Sequence, residues 1–203
     1  MISFLIPVSR ESYKDSLDSI LSKEIKYNYE IILCFNNYQL YKKIPKGIRE
    51  NPKIEIISLS DELWFYSYKI LHSFSSKKYI YYLEDDDKLL TDFSFLDKYP
   101  NYDYYFGLYK NHPNHDSINW SNEIKELNKS FYELFKRYKT PEDFYYFQLS
   151  QLLIKRDIIK NIPLTDNKYN DYYLFKNNPG KIKYIYKYFF KQGWNGDNYS
   201  QKG

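Results

Sequence analysis

Residues 78–90 read KYIYYLEDDDKLL, in which a short apolar and aromatic run, Tyr79-Ile80-Tyr81-Tyr82-Leu83, passes directly into Glu84-Asp85-Asp86-Asp87. Like charges this close repel one another, and a carboxylate cluster without counter-charge destabilises the folded state. Two readings compete for it: a solvated acidic turn, or a loop that holds a cation. The position of the preceding strand in the fold decides between them.

Working towards the N-terminus, apolar runs recur with helical stretches between them. Residues 2–6 form an apolar run closed by Pro7, and YEIILCF (29–35) and KIEIISL (53–59) are two more. Tyr13, Leu17, Ile20 and Leu21 share one helical face, and Leu63, Tyr66, Ile70 and Phe74 share another, with Asp61 as the N-cap. Residues 40–49 read as a short irregular helix interrupted by Pro45 and Gly47. Strand–helix alternation at this spacing predicts parallel pairing with helices on both faces. In such sheets ligands bind beyond the carboxyl ends of the strands. The loops after Ile6, Phe35, Leu59 and Leu83 should then meet on one rim. That favours a divalent cation over a solvated turn, because Mg²⁺ and Mn²⁺ take oxygen ligands and complete their shells with phosphate.

The second half is less regular. Residues 102–109 read as a strand, 110–120 as a polar loop with His112 and His115, and 122–138 as a helix. An apolar stretch at 144–154 precedes a short helix at 155–159, a helix at 171–176, a strand at 181–190 and a polar tail. No repeat or linker is visible, so one domain over 1–203 is expected. The 26 tyrosines and 14 phenylalanines, with abundant Lys and Asn, match the codon bias of an AT-rich genome. The net charge of +4 is far from a strongly DNA-binding footprint. The lone Cys34 excludes an intramolecular disulfide framework and fits a reducing cytoplasm, bacterial or that of a phage host. The N-terminus reads as a strand rather than a signal peptide, and no apolar run approaches the ~20 residues that span a bilayer.

In this order, ISFLIPVSR, a helix, YEIILCFNN and YIYYLEDDDKL resemble the family 2 glycosyltransferases of GT-A fold. The resemblance continues through LLIKRDIIKNIPLTDNKYNDYYLF, GKIKYIYKYFF and the tail GWNGDNYS, and is weakest from about 90 to 151. It implies a single Rossmann-like α/β domain with a mostly parallel sheet flanked by helices. Residues 1–90 would be the nucleotide-sugar-binding half, and 91–203 the acceptor-binding half and tail. It also implies a nucleotide-sugar donor, a UDP-sugar by default, and Mn²⁺ or Mg²⁺ on Asp86, Asp87 and Glu84. Pro7, Val8, Ser9, Arg10, Asn36, Asn37, Asp85 and Trp194 would contact the donor, and Asp171 would be the catalytic base of an inverting displacement. The chain departs from the family pattern at Phe35 and Asn36, where acids are usual. It departs again at Gly193 and Asn195, where Arg and His are usual. His112 and His115 are candidates to replace that lost ligand. The acceptor is a saccharide or, in a phage-type enzyme, a modified base in DNA. The departures also leave open a non-catalytic binding protein of the same fold. A nucleotidyltransferase is a third class, but no Gly-rich phosphate loop supports it.

Overall fold

The computed structural model describes residues 1–59, 64–110, 149–159, 174 and 177–193. Eight strands form one sheet in the order β3-β2-β1-β4-β7-β6-β8-β5. They are β1 (Ile2–Val8), β2 (Tyr29–Phe35), β3 (Ile54–Ser58), β4 (Tyr79–Tyr82), β5 (Lys88–Leu89), β6 (Tyr104–Lys110), β7 (Leu152–Lys155) and β8 (Ile182–Lys191). The first four pair in parallel, as the strand–helix alternation predicts. Strand β7 runs antiparallel between β4 and β6, β8 is parallel to β6, and β5 is antiparallel to β8. The sheet is therefore mostly parallel.

Side-chain alternation along β1 separates two cores. Ile2, Phe4, Ile6 and Val8 face α1 (Tyr13–Leu21), while Leu5 points to the other side with Ile32, Cys34, Ile80 and Leu71. Leu71 belongs to α4 (Trp64–Phe74), so helices cover both faces. The period-two alternation explains why the first strands read as nearly continuous apolar runs: both faces are buried. Cys34 is buried, and that burial pushes its thiol up to about 11, which leaves it an inert core side chain.

Several local expectations shift. Residues 40–49 resolve into α2 (Tyr38–Lys42) and α3 (Lys46–Arg49), broken before Pro45, which lacks an N–H for a continuing helix. The apolar stretch at 144–154 yields β7, and the helix expected at 155–159 is a single 3-10 turn, Arg156–Ile158. Strand β5 has no local signal, being two residues held by the distant end of β8. The Asp61 cap and the helix at 122–138 lie outside the described residues.

The core on the α1 side continues into the second half of the chain. The rings of Phe93, Phe95 and Phe189 pack on one another and Phe93 reaches Phe4 and Tyr81. Phe93 sits at a φ of 60°, an uncommon conformation for a bulky residue, and this packing holds it there. Helix α5 (Phe95–Lys98) follows directly. Strands β6 and β8 approach closely because Gly107 has no side chain: a Cβ there would stand 2.1 Å from the Phe189 ring. Gly107→Ala is therefore expected to lower stability by about 1–3 kcal/mol, the usual cost of overpacking, read as a fall in the urea midpoint.

Candidate functional site

The acidic run forms a turn at the carboxyl end of β4, closed by a hydrogen bond of 3.1 Å from the Asp87 N–H to the Glu84 carbonyl. The four acids still act on one another electrostatically, but they meet different sets of donors, with Arg10 shared between Asp85 and Asp86.

Asp85 is 1% exposed and points towards the end of β1. Its Oδ2 accepts from the Ser9 N–H at 2.7 Å, the Ser9 hydroxyl at 2.9 Å and the Arg10 N–H at 2.8 Å. Its Oδ1 accepts from Arg10 Nε at 2.8 Å and from Nη2. The fork extends to Asp86, whose Oδ2 accepts from Arg10 Nη1 at 3.0 Å. Burial works against charge on Arg10, but Asp85, Asp86 and Glu84 outweigh it and raise its pKa. Asp86 itself is shifted upward by burial, with Arg10 pulling it down and Asp85 pushing it up.

Glu84 accepts from the Tyr68 hydroxyl of α4 at 2.5 Å. Asp87 is buried on the opposite side. It accepts from the Ser150 hydroxyl at 3.0 Å and the Gly193 N–H at 3.2 Å. Helix α1 clamps the turn from below, since Ser16 donates to the Glu84 carbonyl and the Leu89 N–H donates to Ser19. The C-terminal segment crosses the turn so closely that a Cβ on Gly193 would lie 1.9 Å from the Asp86 carbonyl oxygen. That contact gives a steric reason for glycine where the family pattern has Arg.

The sequence candidates separate accordingly. Ser9, Arg10, Asp85 and Asp86 form one connected cluster, and Pro7 and Val8 belong to the end of β1 beside it. Asn36 lies at the same rim, its N–H donating to the Val8 carbonyl at 3.1 Å. Asn37 caps α2, its Oδ1 accepting from the Gln39 and Leu40 N–H groups at 3.0 and 3.3 Å. Asp171, Trp194, Asn195, His112 and His115 lie outside the described residues. Tyr68, Ser16, Ser19 and Ser150 escaped the sequence reading because a lone hydroxyl in a helix or turn carries no pattern.

The donor set is all oxygen, which suits a hard divalent cation. Among the described residues, however, no three such side chains converge on one point. Both oxygens of Asp85 are taken by the end of β1, and both of Asp87 by Ser150 and Gly193. Asp86 is held at the rim by the Arg10 fork, so it is the carboxylate placed to exchange its partner. Magnesium-type ions need only one or two protein carboxylates when phosphates supply the rest. The turn fits a cation of that kind on Asp86, rather than a three-carboxylate cage.

No family model matches the sequence, and no curated protein does. Solved structures do match. The structure of residues 1–349 of Staphylococcus aureus TarS, a GT-A-type glycosyltransferase, matches with a TM-score of 0.67 at 10% identity, covering 95% of this chain and 60% of that one. TarS 1–349 in complex with UDP-GlcNAc gives 0.65 at 10% identity over 98% and 60%, and in complex with UDP 0.64 at 10% over 94% and 59%. The chain thus spans about 60% of the length of these TarS structures. At such low identity the likeness establishes the fold, which is GT-A glycosyltransferase-like.

Two stability measurements follow from the site. Asp85→Ala removes the partner of two Arg10 nitrogens and leaves the Ser9 and Arg10 N–H groups unpaired, so a loss of about 2–4 kcal/mol is expected in urea unfolding. Asp86→Ala leaves Arg10 with Asp85 and should cost less than Asp85→Ala, because burial already works against the Asp86 charge. Asp87 tests pH dependence. Burial, then Asp86 and Glu84, push its carboxyl well above the ordinary range, with Gly193 and Ser150 opposing. The folded state keeps a proton that the unfolded chain releases near its ordinary value of ~3.9, so this group costs stability as pH rises from there through the folded pKa. Asp87→Asn can keep both contacts, with its amide donating to Ser150. In chelator-treated buffer it should match the parent at about pH 4 and exceed it at about pH 8.

Proposed function

We propose that the chain is a glycosyltransferase that moves a sugar from a nucleoside-diphosphate sugar, a UDP-sugar, onto a hydroxyl of a saccharide acceptor with inversion. The observation that carries this reading is the placement of the acidic turn. It sits at the carboxyl rim of a GT-A-like sheet and is tied to the end of β1 by Ser9, Arg10 and Asp85. The same fold in TarS has been solved with UDP and with UDP-GlcNAc.

In this reading the ends of β1 and β2 cradle the nucleoside. Asn36 replaces the usual acid, and its side-chain amide can both accept from and donate to a base edge. Asp86, with Glu84, would hold Mn²⁺ or Mg²⁺. Such an ion supplies Lewis-acid neutralisation of the charge that builds on a departing diphosphate. Arg10 adds a second cation at that rim. Its guanidinium has five N–H donors and spends three on Asp85 and Asp86, leaving two to orient phosphate oxygens. Asp171 is assigned the base, removing the acceptor hydroxyl's proton as that oxygen attacks the anomeric carbon.

Thermal midpoints measured with UDP, CDP, GDP and TDP, with and without Mn²⁺, test the donor class. UDP with Mn²⁺ should raise the midpoint, and Asp86→Ala should abolish the rise. Release of UDP from UDP-GlcNAc should fall by about 10²-fold or more in Asp171→Asn while the midpoint shift persists. No shift with any nucleotide would overturn the proposal. A shift with the donor left intact would mark a binding protein.

A further inference from the structure

We infer that Arg10 is a resident counter-ion of this site: it occupies Asp86 until a nucleoside diphosphate arrives with its divalent cation, and then passes to the diphosphate. The inference rests on the glycosyltransferase reading above and adds to it a partner exchange between two residues of this chain.

The geometry divides the Arg10 fork into a fixed edge and an exchangeable one. Nε and Nη2 face Asp85, which is 1% exposed and further secured by the Ser9 and Arg10 backbone N–H groups. Nothing in that half can leave without orphaning a buried carboxylate. Nη1 makes the other contact, at 3.0 Å to Asp86 Oδ2, and the Arg10 side chain is 33% exposed at that rim. A guanidinium and a divalent cation on one carboxylate repel each other, so Asp86 binds the ion more weakly while Nη1 stays on its Oδ2. In the exchange, the Nη1–Asp86 bond breaks and Asp86 binds the cation. Nη1 then bonds a diphosphate oxygen while Nε and Nη2 stay on Asp85. The single positive charge of Arg10, shared with Asp85 throughout, offsets part of the Asp86 charge before the donor binds and part of the donor's phosphate charge afterwards. Without the donor, Arg10 should hold metal affinity down. With it, the same side chain should favour the complex.

Binding of Mn²⁺ alone, read from the free-ion electron paramagnetic resonance signal, tests this in Arg10→Gln against the parent. The variant should bind the bare ion about tenfold more tightly, because one neighbouring positive charge is gone. UDP affinity at saturating Mn²⁺, by calorimetry, should move the opposite way. Bare-ion affinity that is unchanged or weaker in the variant overturns the inference. So that the test does not depend on the variant's fold, the Arg10 side-chain nitrogen resonance of the parent protein is followed as UDP and Mg²⁺ are added. It should shift only when both are present; a resonance unmoved by the pair overturns the inference as well. If the parent binds no nucleotide under any condition, the glycosyltransferase reading fails first, and the two failures are told apart.

Discussion

Four acidic side chains in one turn can coexist in a folded protein only if their charge is offset by donors and cations or reduced by a retained proton. Here distant parts of the chain answer. Ser9 and Arg10 at the end of β1 serve both Asp85 and Asp86, α4 serves Glu84, and the turn at Ser150 with the C-terminal segment serves Asp87. Coulomb repulsion over a few ångströms inside a protein is worth several kcal/mol, so the arrangement binds these elements to one another.

This explains an apparent mismatch between composition and placement. Dense negative charge at the end of a core strand suggests that an external cation must provide the compensation. The protein already supplies most of it through one guanidinium, backbone N–H groups and hydroxyls. What stays adjustable is the single contact between Arg10 and Asp86, at the point where the parallel strands open to solvent.

The same economy runs through the rest of the fold. The parallel half, β3-β2-β1-β4, supplies the rim, and the later strands complete the sheet by pairing β7 backwards against β4. Aromatic rings close the seam between the halves, and Gly107 lets Phe189 reach it. Gly193 plays the corresponding part at the rim, where any side chain would collide with the Asp86 carbonyl. Both glycines are explained by close approach.

Read by itself, the sequence determined the first four strands, the helices on both sides of them and the rim position of the acids. Those features rest on local periodicity and on the handful of ways a strand–helix alternation can be wound. It also singled out Ser9, Arg10, Asp85 and Asp86 as belonging to one site. It did not contain β5, whose two residues are strand only because β8 lies beside them, nor the helix-capping role of Asn37. Least of all did it show which acid faces which donor. Tyr68, Ser150 and Gly193 stand 16, 63 and 106 residues from their carboxylate partners, and no local pattern spans such distances. Tertiary structure decided those pairings, because hydrogen bonds and ion pairs depend on separation in space, and only the packed sheet brings the ends of distant segments onto one turn.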